Sequence, residues 1–150
     1  MSYPINKQFV AGLTPFLGNL NLKNLIEHSI ALEWDQIVDS KEVKLEGFYL
    51  ASSDQILSLY IISNSKFSMM EISRNGDEIL VTIPLARIQR TVLTRKDNVY
   101  TFAIELDADS SYYDKDSGAI ISSVYLLNAP VDDSITLLNF ARSLNSTIQY

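Results

Sequence analysis

The chain has 150 residues, of which 47% are hydrophobic and 20% charged. A chain of this size buries about two-thirds of the surface that its unfolded form exposes, so it is long enough to form a core without cross-links. It contains no cysteine, which excludes disulfides, thiolate metal sites and cysteine nucleophiles, and it has a single histidine. The formal net charge is −6. Nucleic acids and anionic membranes select basic surfaces, so we expect neither as a partner.

The amino terminus does not match a secretion signal. Residues 9–13 form a short apolar stretch that follows one positive charge, Lys7, and is interrupted by Thr14 and Pro15. Elsewhere no apolar run approaches the roughly 18 residues that a membrane-spanning helix needs. We therefore expect a cytoplasmic protein.

Residues 1–41 are predicted to form an amino-terminal extension. Prolines and glycines interrupt residues 1–20, so we expect an irregular arm that docks on the body of the protein or on another subunit. The next segment predicts a helix capped by Asn21, although residues 30–35 also alternate as a strand would, and both interpretations remain open. The side chains expected to make the arm's contact are Phe9, Leu13 and Phe16.

From residue 42 onward, apolar and polar residues alternate with the period of two that is typical of antiparallel strands with one buried face. Turn-forming residues separate these runs, and Asn75-Gly76 is the strongest turn signal because both residues tolerate positive φ angles. The predicted strands are residues 43–51, 56–62, 66–73, 78–84, 88–96, 98–106 and 119–127.

The last segment changes to a helical period. Pro130 ends the seventh strand, and Asp132, Asp133 or Ser134 is predicted to cap an amphipathic helix that reaches residue 148. We therefore predict one domain, residues 1–150, of a mainly β, α+β class. The apolar stripe of the helix consists of Leu137, Phe140, Ala141, Leu144 and Ile148.

Seven strands followed by one amphipathic helix resemble the pleckstrin-homology-like fold. The sequence of residues 61–70, IISNSKFSMM, is similar to a strand, turn and strand of its bacterial members, and residues 83–88, IPLARI, to the corner between the fourth and fifth strands. The resemblance covers residues 42–148 and implies a half-open antiparallel barrel with the helix at one end. It also implies binding of phosphoinositides, peptides or proteins, or a scaffold role. The loop at residues 51–55 has no basic residue, so phosphoinositide binding is not expected.

A run of carboxylates between the sixth and seventh strands is the sharpest local feature. Such oxygens suit a hard cation such as calcium, but Tyr112 stands where a calcium loop needs glycine, and Gly118 where it needs glutamate. A solvated loop is the simpler interpretation, and a weak divalent-metal site in residues 105–116 is the alternative. Its candidate ligands are Asp107, Asp109, Asp114 and Asp116.

One basic cluster, Arg87, Arg90, Arg95 and Lys96, lies on and beside the fifth predicted strand. Alternation places Arg90 with Lys96 on one face and Arg87 with Arg95 on the other, so the cluster is split. We expect pairing with acids on adjacent strands, and the alternative is recognition of an acidic partner by Arg87 and Arg90.

No convergent catalytic set accompanies His28, which we place on the polar side of the first helix, and Trp34 is expected to anchor the extension. The leading hypothesis is therefore a non-enzymatic protein-binding or scaffold module without a cofactor, acting through a sheet edge or beside the last helix. The second is a structural subunit of a homo-oligomeric, viral or secretion assembly that uses the arm. The third is a metal-dependent hydrolytic site in the acidic loop.

Overall fold

The computed structural model describes residues 5–39, 43, 45–107 and 124–148. These ranges form a mixed α+β chain with two antiparallel sheets, of four and three strands. The chain divides into two compact units, of which the first ends at Ile83 and the second begins at Pro84. Within the described ranges, no helix has both the length and the apolar character needed to cross a membrane.

Three helices open the first unit, and local capping sets their ends. The side chain of Asn19 accepts hydrogen bonds from the backbone of the second helix's first turn, two residues before the predicted cap. That helix ends at Ala31, which adopts a left-handed conformation with φ of 60°. The helices are α1 (Ile5–Leu13), α2 (Leu20–Ile30) and α3 (Trp34–Asp39), with a 3-10 turn (Thr14–Phe16) between the first two.

The prediction of an irregular arm is wrong. Pro15 lies at the start of the 3-10 turn, where a missing backbone N–H is no loss, and Gly12 is tolerated inside α1. The strand alternative for residues 30–35 is also wrong, because α3 begins at Trp34. A carboxylate oxygen of Glu27 accepts a hydrogen bond from the Trp34 backbone N–H at 2.7 Å and ties α3 to α2.

The first sheet is built from consecutive hairpins, as predicted, with strand bounds within two residues of the expected ones. In the turn between the second and third strands, Asn64 and Ser65 have φ of 53° and 63°. Positive φ at both positions gives the turn a twist that matches the right-handed twist of the strands. In the next turn, Gly76 has φ of 92°. The strands, in spatial order, are β1 (Leu45–Ser52), β2 (Ile56–Ser63), β3 (Lys66–Ser73) and β4 (Glu78–Pro84).

The amino-terminal helices form a core with one face of this sheet. Phe9 on α1 lies against Phe48 on β1, with ring centroids 5.4 Å apart, and against Trp34 on α3 at 6.2 Å. Trp34 is half-buried, which confirms it as an anchor of the extension. The fully buried members of this core are Phe9, Leu13, Leu22, Ile26, Leu59, Ile61 and Met70.

The second unit contains the other sheet and the last helix. A 3-10 turn (Leu85–Arg87) leads into it, and Asp97 and Asn98, at φ of 54° and 61°, close its hairpin. The seventh strand runs three residues past its expected end, while residues 119–123 of the prediction lie outside the described ranges. The elements are β5 (Ile88–Lys96), β6 (Val99–Leu106), β7 (Val124–Pro130) and α4 (Ile135–Thr147), and the strands are in sequence order.

Helix α4 packs on one face of the second sheet through its predicted apolar stripe. Ser134 is its N-cap residue, and Phe140 meets Phe102 edge-on with ring centroids 6.4 Å apart. Alternate side chains of β7 point to the other face of the sheet, and one of them, Leu126, is 59% exposed. The structure thus confirms the seven strands, their antiparallel pairing and the carboxy-terminal helix. The half-open barrel and the single domain stay predictions.

We expect Leu13→Ala to lower the free energy of unfolding by about 2–5 kcal/mol, because it leaves a cavity between α1 and the sheet. Leu13 is 1% exposed, whereas Leu20 on α2 is 69% exposed. Leu20→Ala is therefore the matched control, with a change within about 0.5 kcal/mol. Urea unfolding followed by the fluorescence of Trp34, the only tryptophan, measures both. Equal effects of the two substitutions would contradict the packing of α1.

Gly76→Ala should destabilise the protein by about 1 kcal/mol, because a side chain at this φ is strained although no atom lies near the new Cβ. Gly18→Ala is the control, since Gly18 has equally open surroundings and no positive φ. The same urea titration should show no loss of stability for the control. A loss as large as that of Gly76→Ala would show that the cost does not come from the backbone conformation.

Candidate functional site

The three apolar candidates of the extension lie against their own unit. Phe9 and Leu13 are buried in the core between the helices and the sheet, and Phe16 is half-buried beside it. Their apolar surface is therefore used to hold α1 on β1. Phe9 and Leu13 therefore present no exposed side chain for the partner binding that the sequence predicted.

The basic candidates form cross-strand ion pairs. Arg90 donates hydrogen bonds to Glu105, its register partner on β6. Arg87 approaches Asp107 with 3.9 Å between Nη1 and Oδ2. The hydrogen bond to Glu105, together with the attraction of its charge, raises the pKa of the Arg90 guanidinium. Pairing with acids on the adjacent strand is thus confirmed for both arginines.

The predicted division of faces is wrong for Arg87. The register of β5 shifts between Ile88 and Arg90, where an extra residue forms a bulge. Ile88 therefore pairs with Leu106 on the buried face, although simple alternation would place it with Arg90. Arg87 and Arg90 then pair with Asp107, directly after β6, and Glu105, on β6, while Arg95 belongs to the opposite face.

Only one of the predicted metal ligands is described by the structure. Asp107 follows β6, and its backbone N–H donates to the carbonyl of Arg87 at 3.0 Å. Asp109, Asp114 and Asp116 lie outside the described residues. Among the residues that are described, no group of three or more His, Asp or Glu side chains is arranged to hold a metal ion.

An open depression of about 570 Å³ lies between the end of α2 and α3. Two of its polar side chains bind the backbone there: Glu27 accepts from Trp34 N–H, and the side chain of Gln36 accepts from the Glu33 backbone N–H at 3.0 Å. These groups fix the start of α3. The depression is thus explained by helix capping.

A different surface of the second unit combines exposed apolar and basic groups. We call it the β5–α4 surface and define it by Thr91, Leu93 and Arg95 on β5 and by Arg142 and Asn145 on α4. Thr91 Oγ1 donates to Asn145 Oδ1 at 2.6 Å, which fixes the end of the helix beside the strand. Since side chains alternate along a strand, Leu93 and Arg95 share the face of Thr91.

The position of β5 in the sheet explains why Leu93 is uncovered. Its register partner Phe102 lies on the central strand and is fully buried, whereas Leu93 lies on an edge strand and is 46% exposed. Helix α4 lies closer to β7, the opposite edge strand, than to β5. The result is an exposed apolar side chain at the β5 edge, on the face of the sheet that carries the helix.

The β5–α4 surface is basic. The guanidinium of Arg95 lies over the ring of Tyr100, its register partner, at 6.0 Å from the centroid. Arg142 is exposed and precedes Asn145 by three residues, which places both on the same side of α4. Helix α4 contains no acidic residue, and neither does β5.

Sequence reasoning included Arg95 in the basic cluster but missed Leu93, Arg142 and Asn145. Leu93 occupies a position that the alternation assigns to the buried face, and nothing local marks it as uncovered.

Comparisons with protein-family models, with curated proteins and with solved structures find no match to this chain.

A double-mutant cycle with Arg90→Ala and Glu105→Ala should show a favourable coupling that falls as salt is added, because the pair is at the surface. The Arg87 and Asp107 cycle should give a smaller coupling, since 3.9 Å between Nη1 and Oδ2 is too long for a hydrogen bond between these two atoms. Urea unfolding at low and high ionic strength measures both. Equal coupling in the two cycles, or coupling independent of salt, would contradict this geometry.

Proposed function

We propose that the chain is a non-enzymatic protein-binding or scaffold module of pleckstrin-homology-like fold, which binds an extended segment of a partner protein at the β5–α4 surface. The observation that carries the proposal is the exposure of Leu93 on an edge strand beside α4. An apolar side chain in that position offers an anchor that a partner can bury.

The edge of β5 supports recognition by strand addition. A strand at a sheet edge presents backbone N–H and carbonyl groups that an incoming segment can pair with, while its side chains enter neighbouring pockets. Strand β5 has nine residues, long enough to pair with a short peptide. The hydrogen bond between Thr91 and Asn145 holds α4 as a fixed wall next to this edge.

The order of the elements supports the finer fold assignment. Four antiparallel strands, three antiparallel strands and a carboxy-terminal helix are what a half-open barrel of this family requires. In the proposed module the helix is the wall of the binding surface, and phosphoinositides are not the ligand, because the β1–β2 loop, residues 53–55, has no basic side chain. The proposed location is cytoplasmic.

Selection of random displayed peptides on the purified full chain tests the proposal. We expect selected peptides to compete with one another and to lose binding to Leu93→Asp, which removes the apolar anchor. Leu126→Asp is the matched control, because Leu126 is also an exposed leucine but lies on the opposite face of the sheet. Its binding should equal that of the unmodified protein.

NMR amide shifts on peptide addition provide the positional readout, and we expect the largest changes along β5 and the facing side of α4. Failure to select any peptide, or selection of peptides that bind Leu93→Asp normally, would overturn the proposed function.

A further inference from the structure

We propose that the segment bound by the β5–α4 surface is acidic: an extended peptide whose carboxylates meet Arg95 and Arg142 while an apolar side chain between them covers Leu93. This inference rests on the proposed function and adds the chemical class of the partner.

The first step is the distribution of paired cations on and beside β5. Arg87 and Arg90 each have a carboxylate on or directly after the neighbouring strand, so their charges are largely balanced. For Arg95 and Arg142, the described part of the chain shows no ion pair. Arg95 instead lies over the ring of Tyr100, a contact that uses the face of the guanidinium and not its N–H groups, which can donate to a carboxylate.

The second step is the position of Arg142 relative to Leu93. Asn145 on α4 is level with Thr91, and Phe140 is level with Phe102, which pairs with Leu93. Arg142 lies between these two helix positions and on the side of Asn145. It therefore lies on the β5 side of the helix, between the levels of Leu93 and Thr91.

The third step is the spacing along the strand. Arg95 and Leu93 are two residues apart, which separates them by about 7 Å on the same face. In an extended partner, side chains two residues apart have the same spacing. An acidic residue two positions from an apolar one therefore matches Arg95 and Leu93 together.

The charge of the whole protein makes this local arrangement informative. At a net charge of −6, a distant acidic peptide is repelled, but screening over about 8 Å at physiological salt leaves the nearest groups dominant at contact. Two cations beside an apolar anchor select an acidic segment there. A nucleic acid carries a charge on every phosphate and selects proteins with a basic excess, which this chain lacks, so we favour the peptide.

Three synthetic peptides test the inference by fluorescence anisotropy on the full chain. They carry the same apolar residue at every fourth position, and the residues two positions from each apolar one are all Glu, all Ser or all Lys, so that both sets lie on one face of an extended chain. A single-stranded oligothymidylate is the fourth probe. We expect the Glu peptide to bind most tightly, with an affinity that falls as salt is added. Arg95→Glu and Arg142→Glu should each raise its Kd by about fivefold or more.

Arg74→Glu is the matched control, because Arg74 is an exposed arginine in the β3–β4 turn of the first unit and its reversal changes the net charge equally. It should leave the Kd unchanged, and circular dichroism should show all three variants folded. An equal effect of Arg74→Glu would mean that only the net charge matters and would overturn the inference.

The remaining outcomes separate the two proposals. Equal binding of the Glu, Ser and Lys peptides, lost on Leu93→Asp, would overturn the acidic partner while keeping the peptide-binding module. Tighter binding of oligothymidylate, sensitive to Arg95→Glu, would overturn the acidic peptide in favour of a polyanion. If no peptide binds, or if Leu93→Asp changes nothing, both proposals fail.

Discussion

The first unit depends on the burial of the amino-terminal helices against one face of the four-stranded sheet. The aromatic contacts of Phe9 with Phe48 and Trp34 link α1, β1 and α3, so three elements separated in sequence share one core. Because apolar burial is the dominant favourable contribution to folding, a sheet without these helices would expose a continuous apolar face. The extension is thus an integral layer of this unit.

Much of the β architecture could be predicted from the sequence because its signals are local. Hairpins are specified by turn residues such as Asn64-Ser65 and Asp97-Asn98, whose positive φ angles the chain tolerates. The three- and four-residue spacing of Leu137, Phe140 and Leu144 likewise specifies α4 and its buried side.

The packing of the extension was harder to predict, because it depends on contacts between distant residues. One signal was present: Leu59 to Ile62 on β2 are four consecutive apolar or aromatic residues, all of them buried. Such a run is typical of a strand covered on both faces, which requires a further layer. For the candidate site, the exposure of Leu93 depends on how far α4 reaches across the sheet, and no pattern in β5 records that distance.

The extra residue in β5 gives one strand two roles. Ile88 and Arg90 are two residues apart and would share one face in a regular strand. The extra residue between them places Ile88 in the core and Arg90 on the outward face. Arg87 and Arg90, on either side of the extra residue, pair with Asp107 and Glu105, and Arg95 lies on the face of the sheet that carries α4. Were Gln89 absent, plain alternation would give Ile88 and Arg90 the same two faces, so the extra residue changes the spacing along the strand and not the faces. A deletion of Gln89 would thus leave Ile88 in the core and Arg90 toward water.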